Sequence, residues 1–478
     1  MLLPKIFPVT SHTDHVGPGS TFVAIKGFSQ DGTAYIPTAL EKGATEIIVQ
    51  QESHNDRLAT LCAQHKARYT VVPCARKALA ERASQANGDP WKKLKIIGIT
   101  GTKGKTTTAF ITEYLLRNAG YKTVLISTIA VTIMNESEPS KHTTPESDYL
   151  QCFFAACVTR GVEYVVMEVS SHALSLCRVH GIQFDAIGFS NLSQDHLDFY
   201  GTMEAYFQAK MQLLSMLKPN GTMVINTDTT WGQQALGIAT ALAPACNANL
   251  LTYGTQPHPN AHHSTMAIQS TNFDGITITL DQPLPQTLHC ASLFGPFNGY
   301  NIAMAVLLCN GAAINAEQGL ATFPGVPGRL QRHQLQTGAY AFVDYAHNAL
   351  SFQEVLSMLR PYTNHLIVVF GCGGNRPKQR RPAMGAIAAQ FADAIILTDD
   401  NPRFEDRMTI INDILEGIPA DKRAIVTCQP DRYQAISQAA QCATKGSIIA
   451  LLGKGHEPYY SIQGKDLHFD DFEEIRKF

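Results

Sequence analysis

Apolar residues fall into short unbroken runs separated by amphipathic stretches, with little sustained alternation. From Lys95 onward, KIIGIT, TVLIST, EYVVMEV, AIGFSN and GTMVIN each read as a strand buried on both faces, with helical segments between them. This order predicts an α/β fold with a largely parallel sheet covered on both sides. Upstream, the runs Thr21 to Ile25, Ile47 to Val49 and Tyr69 to Val72, with a helix ending at Lys42-Gly43, predict a smaller α/β domain. NGDPWKK, 87–93, is punctuated as a linker. Leu251 to Leu293 alternates, as in GITITL, and predicts an antiparallel patch. FPGVPGRLQR, 323–332, marks the next boundary. Beyond it YAFVDY, HLIVVFG, AIILT, RAIVT and SIIALLG predict a second, smaller doubly wound unit. The expected domains are 1–88, 89–327 and 328–478.

One helix breaks its own pattern. Across a helix expected from Met203 to Leu217, the residues Met203, Tyr206, Phe207, Leu213, Leu214 and Leu217 form an apolar stripe, and Lys210 falls in its middle. A lysine there either snorkels to solvent or sits buried with a depressed pKa.

The 478 residues are 45% hydrophobic and 16% charged, with a net charge of −2, which gives no general attraction to nucleic acid. No run of about 18 apolar residues is present, so no spanning helix is expected. The eleven cysteines show no C-x-x-C pair, and no leader-like segment is apparent, so reduced thiols and a cytoplasmic location are expected.

Chemistry concentrates at the ends of the central strands. GITGTKGKTTT, 98–108, lies between a strand and a helix. Its glycines allow backbone N–H groups to face a polyphosphate, Lys105 can reach terminal phosphates, and Thr106 can offer a hydroxyl to Mg²⁺. Glu168 closes the strand VVMEV as a candidate Mg²⁺ ligand, with a solvated strand end about equally probable from that stretch alone. Asp195, His196 and Asp198 crowd the loop SNLSQDHLDFYG.

GTKGKTTT, EVSSHAL, NLSQDHLDFYG with YFQAK, GPFNGYN, PGR and DYAH, in this order, resemble the Mur ligase superfamily. TTP at 143–145, FGCGGNR at 370–376, DNPR at 400–403 and GKGHE at 453–457 are similar to members that add the third amino acid to UDP-N-acetylmuramoyl-L-alanyl-D-glutamate. The resemblance implies three domains: a small N-terminal α/β domain for the uridine nucleotide, a central P-loop-type ATPase and a C-terminal Rossmann-like domain. It implies ATP-dependent amide formation through an acyl phosphate, with meso-diaminopimelate as acceptor, Mg²⁺ as cofactor, no nucleic-acid or membrane partner, and a monomer.

By the same resemblance Gly101, Thr102, Lys103, Gly104, Lys105, Thr106 and Thr107 bind ATP with Asn298, Asn301, Arg329, Asp344 and His347. Thr13, Thr143, Thr144, Ser170 and Arg178 hold the UDP substrate, although Asp14 stands where relatives carry arginine. Arg376, Asp400, Asn401, Pro402, Arg403, Gly453 and Glu457 bind diaminopimelate, because an arginine fork suits the distal carboxylate that lysine lacks. Thr106, Glu168, His196 and a CO₂-carbamylated Lys210 hold metal; Lys105, Glu168, His196 and Lys210 form the catalytic set. A lysine-adding or other Mur-like amide ligase, such as one extending folate with glutamate, is the alternative within the enzyme class. A nucleotide-driven switch is the alternative outside it, and would hydrolyse ATP without an acceptor.

Overall fold

The computed structural model describes residues 3–28, 30–134, 136–259, 262–282 and 285–478. They form two compact units, one of 1–269, 277–289 and 297–322, the other of 270–276, 290–296 and 323–478.

The first unit holds two sheets. In the smaller, Val9–Thr10, Thr21–Ala24, Glu46–Gln50 and Arg68–Val72 run parallel in that order. Alternation sends Phe22, Ala24, Ile47 and Val49 to a core with Ile36 and Leu40, and Val23 and Ile48 to a second core with Ala75 and Leu79. The segment read as a linker is a tight turn: Pro90–Lys93 is a 3₁₀ helix, and Asp89 accepts from Ser84 Oγ at 2.9 Å and pairs with Lys92 at 2.7 Å.

The larger sheet is built around Lys95–Thr100, flanked by Phe184–Phe189 and Tyr164–Glu168, with Leu217–Asn226 and Thr123–Ile126 outside them, all parallel. His263–Asn272 and Gly275–Leu280 lie side by side joined by two residues, a connection that only an antiparallel hairpin permits. Because the central strands are parallel, Thr100, Glu168 and Phe189 leave the sheet at one edge, where open α/β sheets bind ligands.

The helix bearing Lys210 is shorter than expected. It spans Met203–Met211, a 3₁₀ turn covers Gln212–Met216, and Leu217 starts a strand by pairing with Phe184. Leu213, Leu214 and Leu217 are still buried, so the apolar stripe marked the core correctly while sheet pairing ended the helix.

In the second unit Tyr340–Asp344, Ile448–Leu452, Leu366–Phe370, Ala394–Leu397 and Val426–Cys428 lie parallel in that order, with Gln331–Gln334 antiparallel at the edge. The strand expected from RAIVT begins only at Val426, because Ala420–Ile425 closes into a 3₁₀ turn. Both faces are apolar: Phe342, Val368 and Phe370 on one, Val343, Ile367 and Val369 on the other. Each such side chain contributes about 1.5–3 kcal/mol of burial.

Candidate active site

The phosphate loop depends on two glycines. Gly101 has φ +145°, and a Cβ there would lie 2.0 Å from Ser190 Oγ; Gly104 has φ +83°, and a Cβ would lie 2.4 Å from Asn301 Oδ1. No other residue fits either place. Helix Lys105–Asn118 follows directly, so free amide groups and the positive end of the helix dipole face the loop. Asn191 fixes the loop from the neighbouring strand end, accepting from Thr102 N at 2.9 Å and Lys103 N at 3.0 Å. Lys105 folds back, its Nζ donating to Gly101 O at 3.0 Å and Thr102 O at 2.9 Å.

Lys210 Nζ approaches the same loop, donating to Gly101 O at 2.7 Å from a side chain 1% exposed. Burial, reinforced by the charge of Lys105, holds its pKa well below the ordinary lysine value. Burial therefore disfavours the ammonium form where this side chain meets the Gly101 carbonyl, in a place where an anion would relieve the positive charge of Lys105.

Glu168 is fully buried rather than solvated. Its carboxylate accepts from Thr128 N at 2.7 Å and Thr128 Oγ1 at 3.2 Å. Thr144 Oγ1 donates to Glu168 O at 2.9 Å, accepts from Ser170 N at 3.1 Å, and thereby ties the TTP loop to the strand end. His196 has φ +53°, a strained backbone for a non-glycine residue, and stacks edge-on with His172 at 4.7 Å between ring centroids. Burial lowers the pKa of both rings, so they present neutral nitrogens, the form that ligates metals. Among the described residues no three His, Cys, Asp or Glu side chains cluster as a ready metal site. Glu168 and His196 fit Mg²⁺ only as part of a set completed by another donor.

Beside these groups lies a cleft of about 480 Å³ lined by Phe28, Arg76, His142, Thr143, Glu146, Ser170, His172, Leu176, Arg178 and His196. Arg178 is anchored through Thr144 O at 2.8 Å and Glu146 at 2.7 Å. Thr13 is not among the lining residues; its carbonyl accepts from Lys42 Nζ at 2.8 Å, and Asp14 lies 3.9 Å from the same ammonium.

In the second unit, DYAH and GKGHE meet. Asp344 accepts from Leu330 N and Ala346 N, both at 2.8 Å, and burial raises its pKa. His347 Nδ1 bonds Tyr345 O at 2.8 Å, and the Arg329 guanidinium lies 5.0 Å over the Tyr345 ring. Gly453 has φ +107°, and a Cβ would lie 2.8 Å from Asp400 Oδ2. Asn401 Nδ2 donates to Glu457 Oε2 at 2.8 Å, and burial raises the Glu457 pKa.

Arg403 is held in the left-handed region, φ +53°, its N bonded to Ser461 O at 3.0 Å and its Nη1 donating to Gly374 O at 2.7 Å. Of the neighbouring acids Asp399, Asp400, Glu405 and Asp406, none forms an ion pair with it among the described residues, and three are engaged elsewhere. Asp399 binds Arg407 and Tyr460, Glu405 binds Arg381 at 2.9 Å, and Asp406 caps a helix at Thr409 N.

Three family models match the chain in sequence order: "Mur ligase family, catalytic domain" at 9–87, "Mur ligase middle domain" at 99–309 and "Mur ligase, glutamate ligase domain" at 328–455. The chain belongs to the Mur ligase family. It is 39% identical over 481 residues to the UDP-N-acetylmuramoyl-L-alanyl-D-glutamate--2,6-diaminopimelate ligase of Bacillus licheniformis, covering 99% of this chain and 94% of that one. It is 38% identical to the enzyme of that name from Thermosynechococcus vestitus, covering 96% and 90%. A solved structure of a ligase of the same name superposes with a TM-score of 0.68 at 30% identity, covering 99% and 94%. Mycobacterium tuberculosis folylpolyglutamate synthase, solved with ADP, shares the fold alone, at 17% identity and a TM-score of 0.62.

Within this Mur ligase the first unit gathers the phosphate loop, Asn301 and Asn298, Glu168, His196 and Lys210, together with Thr143, Thr144, Ser170 and Arg178. The second unit gathers Arg329, Asp344 and His347, and separately Asp400, Asn401, Pro402, Arg403, Gly453 and Glu457 around the loop that carries Arg376. Sequence reasoning passed over Thr128, Asn191 and His172, which hold or face the expected residues. It also passed over Lys454, fully buried and donating to Tyr459 O at 2.5 Å and Asn401 Oδ1 at 3.3 Å. The lysine of GKGHE was the available signal, overlooked because lysines are usually exposed. Among the described residues no helix is long and apolar enough to cross a membrane.

Proposed function

We propose that this chain joins meso-2,6-diaminopimelate to the D-glutamyl γ-carboxylate of UDP-N-acetylmuramoyl-L-alanyl-D-glutamate, consuming ATP and releasing ADP and phosphate, as a step in peptidoglycan precursor synthesis. The observation that carries this reading is near-full-length identity of 38–39% to ligases of that name. An unneutralised Arg403 fork beside Asn401 and Glu457 agrees with it, because the acceptor end has to offer partners for both a carboxylate and an ammonium.

A carboxylate is a poor electrophile. Transfer of the γ-phosphoryl group to the γ-carboxylate gives an acyl phosphate; the acceptor amine adds to its carbonyl carbon, and the tetrahedral intermediate collapses with loss of phosphate. The 101–107 loop and Lys105 hold and neutralise the phosphates, with Asn298, Asn301, Arg329, Asp344 and His347 positioning the nucleotide. Thr143, Ser170 and Arg178 orient the UDP substrate in the cleft, buried Thr144 holds their loop to the strand end, and Thr13 contacts the nucleotide end. Arg403 and Arg376 pair the distal carboxylate of the acceptor; Asp400, Asn401, Pro402, Gly453 and Glu457 receive its amino end.

Thr106, Glu168 and His196 would hold Mg²⁺, which supplies charge neutralisation for the phosphates. Lys210, a buried amine whose burial disfavours the ammonium form, is suited to CO₂ addition, and its carbamate would complete that set. The working domains are 1–88 for the uridine nucleotide, 89–327 for ATP and 328–478 for the acceptor, in a cytoplasmic monomer. Phosphate release measured with ATP, Mg²⁺ and the UDP-dipeptide substrate tests the reading: release depends on meso-diaminopimelate, whereas release driven by L-lysine and indifferent to diaminopimelate overturns it.

A further inference from the structure

We infer that Arg380 is a further acceptor-binding residue, closing with Arg403 on the distal carboxylate of the incoming amino acid; this rests on the function proposed above. The convergence lies above Gly373, in the loop that leaves strand Leu366–Phe370. A Cβ placed on Gly373 would lie 3.0 Å from Arg403 Nη1 and 3.6 Å from Arg380 Nη2, so two guanidinium groups converge on one point. Arg376 presents its Cγ methylene there, at 3.7 Å, and the residue is exposed.

No carboxylate among the described residues pairs either converging group. Arg403 donates to a backbone carbonyl, and Arg380 Nε, like Arg381 Nε, is buried without a hydrogen-bond partner. The adjacent residue shows what a structural arginine looks like here. Arg381 is fully buried, pairs Asp413 at 2.7 Å and Glu405 at 2.9 Å, and so removes both acids from its neighbour's reach. Arg380 also opens helix Arg380–Phe391, where the helix dipole disfavours a cation. Two unneutralised guanidinium groups repel each other. An anion between them relieves the repulsion, and planar forks match a carboxylate.

Phosphate-release kinetics on Arg380→Met, Arg380→Lys, Arg403→Met and the Arg380→Met/Arg403→Met double variant test this. The Arg380→Met change should raise KM for meso-diaminopimelate about 10- to 100-fold, the usual effect of losing a hydrogen bond to a charged group. Its kcat and its KM for ATP and for the UDP-dipeptide should stay near wild type. Arg380→Lys should fall between, keeping the charge but losing the fork. The double variant should lose less than the product of the two single effects, because both act on one carboxylate. An unchanged diaminopimelate KM, an equal rise in all three KM values, or multiplicative single effects would overturn the inference while leaving the ligase reading intact. A wild-type enzyme without diaminopimelate-dependent release would overturn both.

Discussion

Each unit buries one lysine almost completely at the carboxyl edge of its sheet, and the two differ in their company. Lys210, 1% exposed, has one carbonyl acceptor, the Tyr206 ring at 4.6 Å, the like charge of Lys105 and the weaker favourable charge of Asp195. Lys454, 0% exposed, has Tyr459 O, Asn401 Oδ1, the Glu457 carboxylate at 3.9 Å and the favourable charge of Asp400. Burial lowers both pKa values. Burial alone therefore does not assign a role. Lys454 bonds Tyr459 O and Asn401 Oδ1, whereas Lys210 bonds a single carbonyl, which agrees with the anion proposed for it.

The comparison breaks most readily at Lys210. Replacing it by Ala should cut ligase turnover by about 10²–10³-fold, the scale for losing one preorganised electrostatic group, while circular dichroism shows a folded chain. Full activity, indifferent to bicarbonate, would end the distinction between the two lysines.

Lys454→Met should act on stability first. It strips a donor from the buried Asn401 and Tyr459 oxygens, a loss of about 1–3 kcal/mol in urea unfolding. A change in kcat without a change in stability would contradict its structural role.

The pH dependence of folding tests what the two lysines share. Both lysines have folded pKa values below the ordinary 10.5, so in the window between the folded value and 10.5 the unfolded chain binds more protons, and stability rises with pH. In CO₂-free buffer the urea midpoint of the wild type should gain on those of both Lys210→Met and Lys454→Met as pH climbs toward 10.

The smallest effect concerns Glu457. Burial raises its pKa above the usual 4.5, so its charge appears only as pH rises through that raised value. The diaminopimelate KM should fall as pH rises through that raised value. A Glu457→Gln variant should show a flat profile; an unaltered one would remove Glu457 from ammonium recognition.

Much of the site was legible because its residues are placed by short local motifs. Gly101 and Gly104 were readable as glycines that allow close approach, and the structure supplies the reason in Ser190 Oγ and Asn301 Oδ1. Glu168 was evenly balanced between ligand and solvated strand end until its burial removed the second reading. Thr128 and Asn191 were not legible, because each acts through backbone or side-chain bonds to a motif distant in sequence. Arg380 was missed for a related reason: it differs from Arg381 only in which acids the fold brings near.

By itself the sequence determined the alternation of strands and helices, the glycine-bounded phosphate loop, and the presence of an amine inside an apolar stripe. These are set by side-chain periodicity and backbone freedom, which act over a few residues. Only the tertiary structure decided where the Lys210 helix ends, since pairing of Leu217 with Phe184 overrode the helical pattern. It also decided which charges are neutralised. Ion pairing depends on distances between residues far apart in the chain, and those distances leave Arg403 and Arg380 open while closing Arg381.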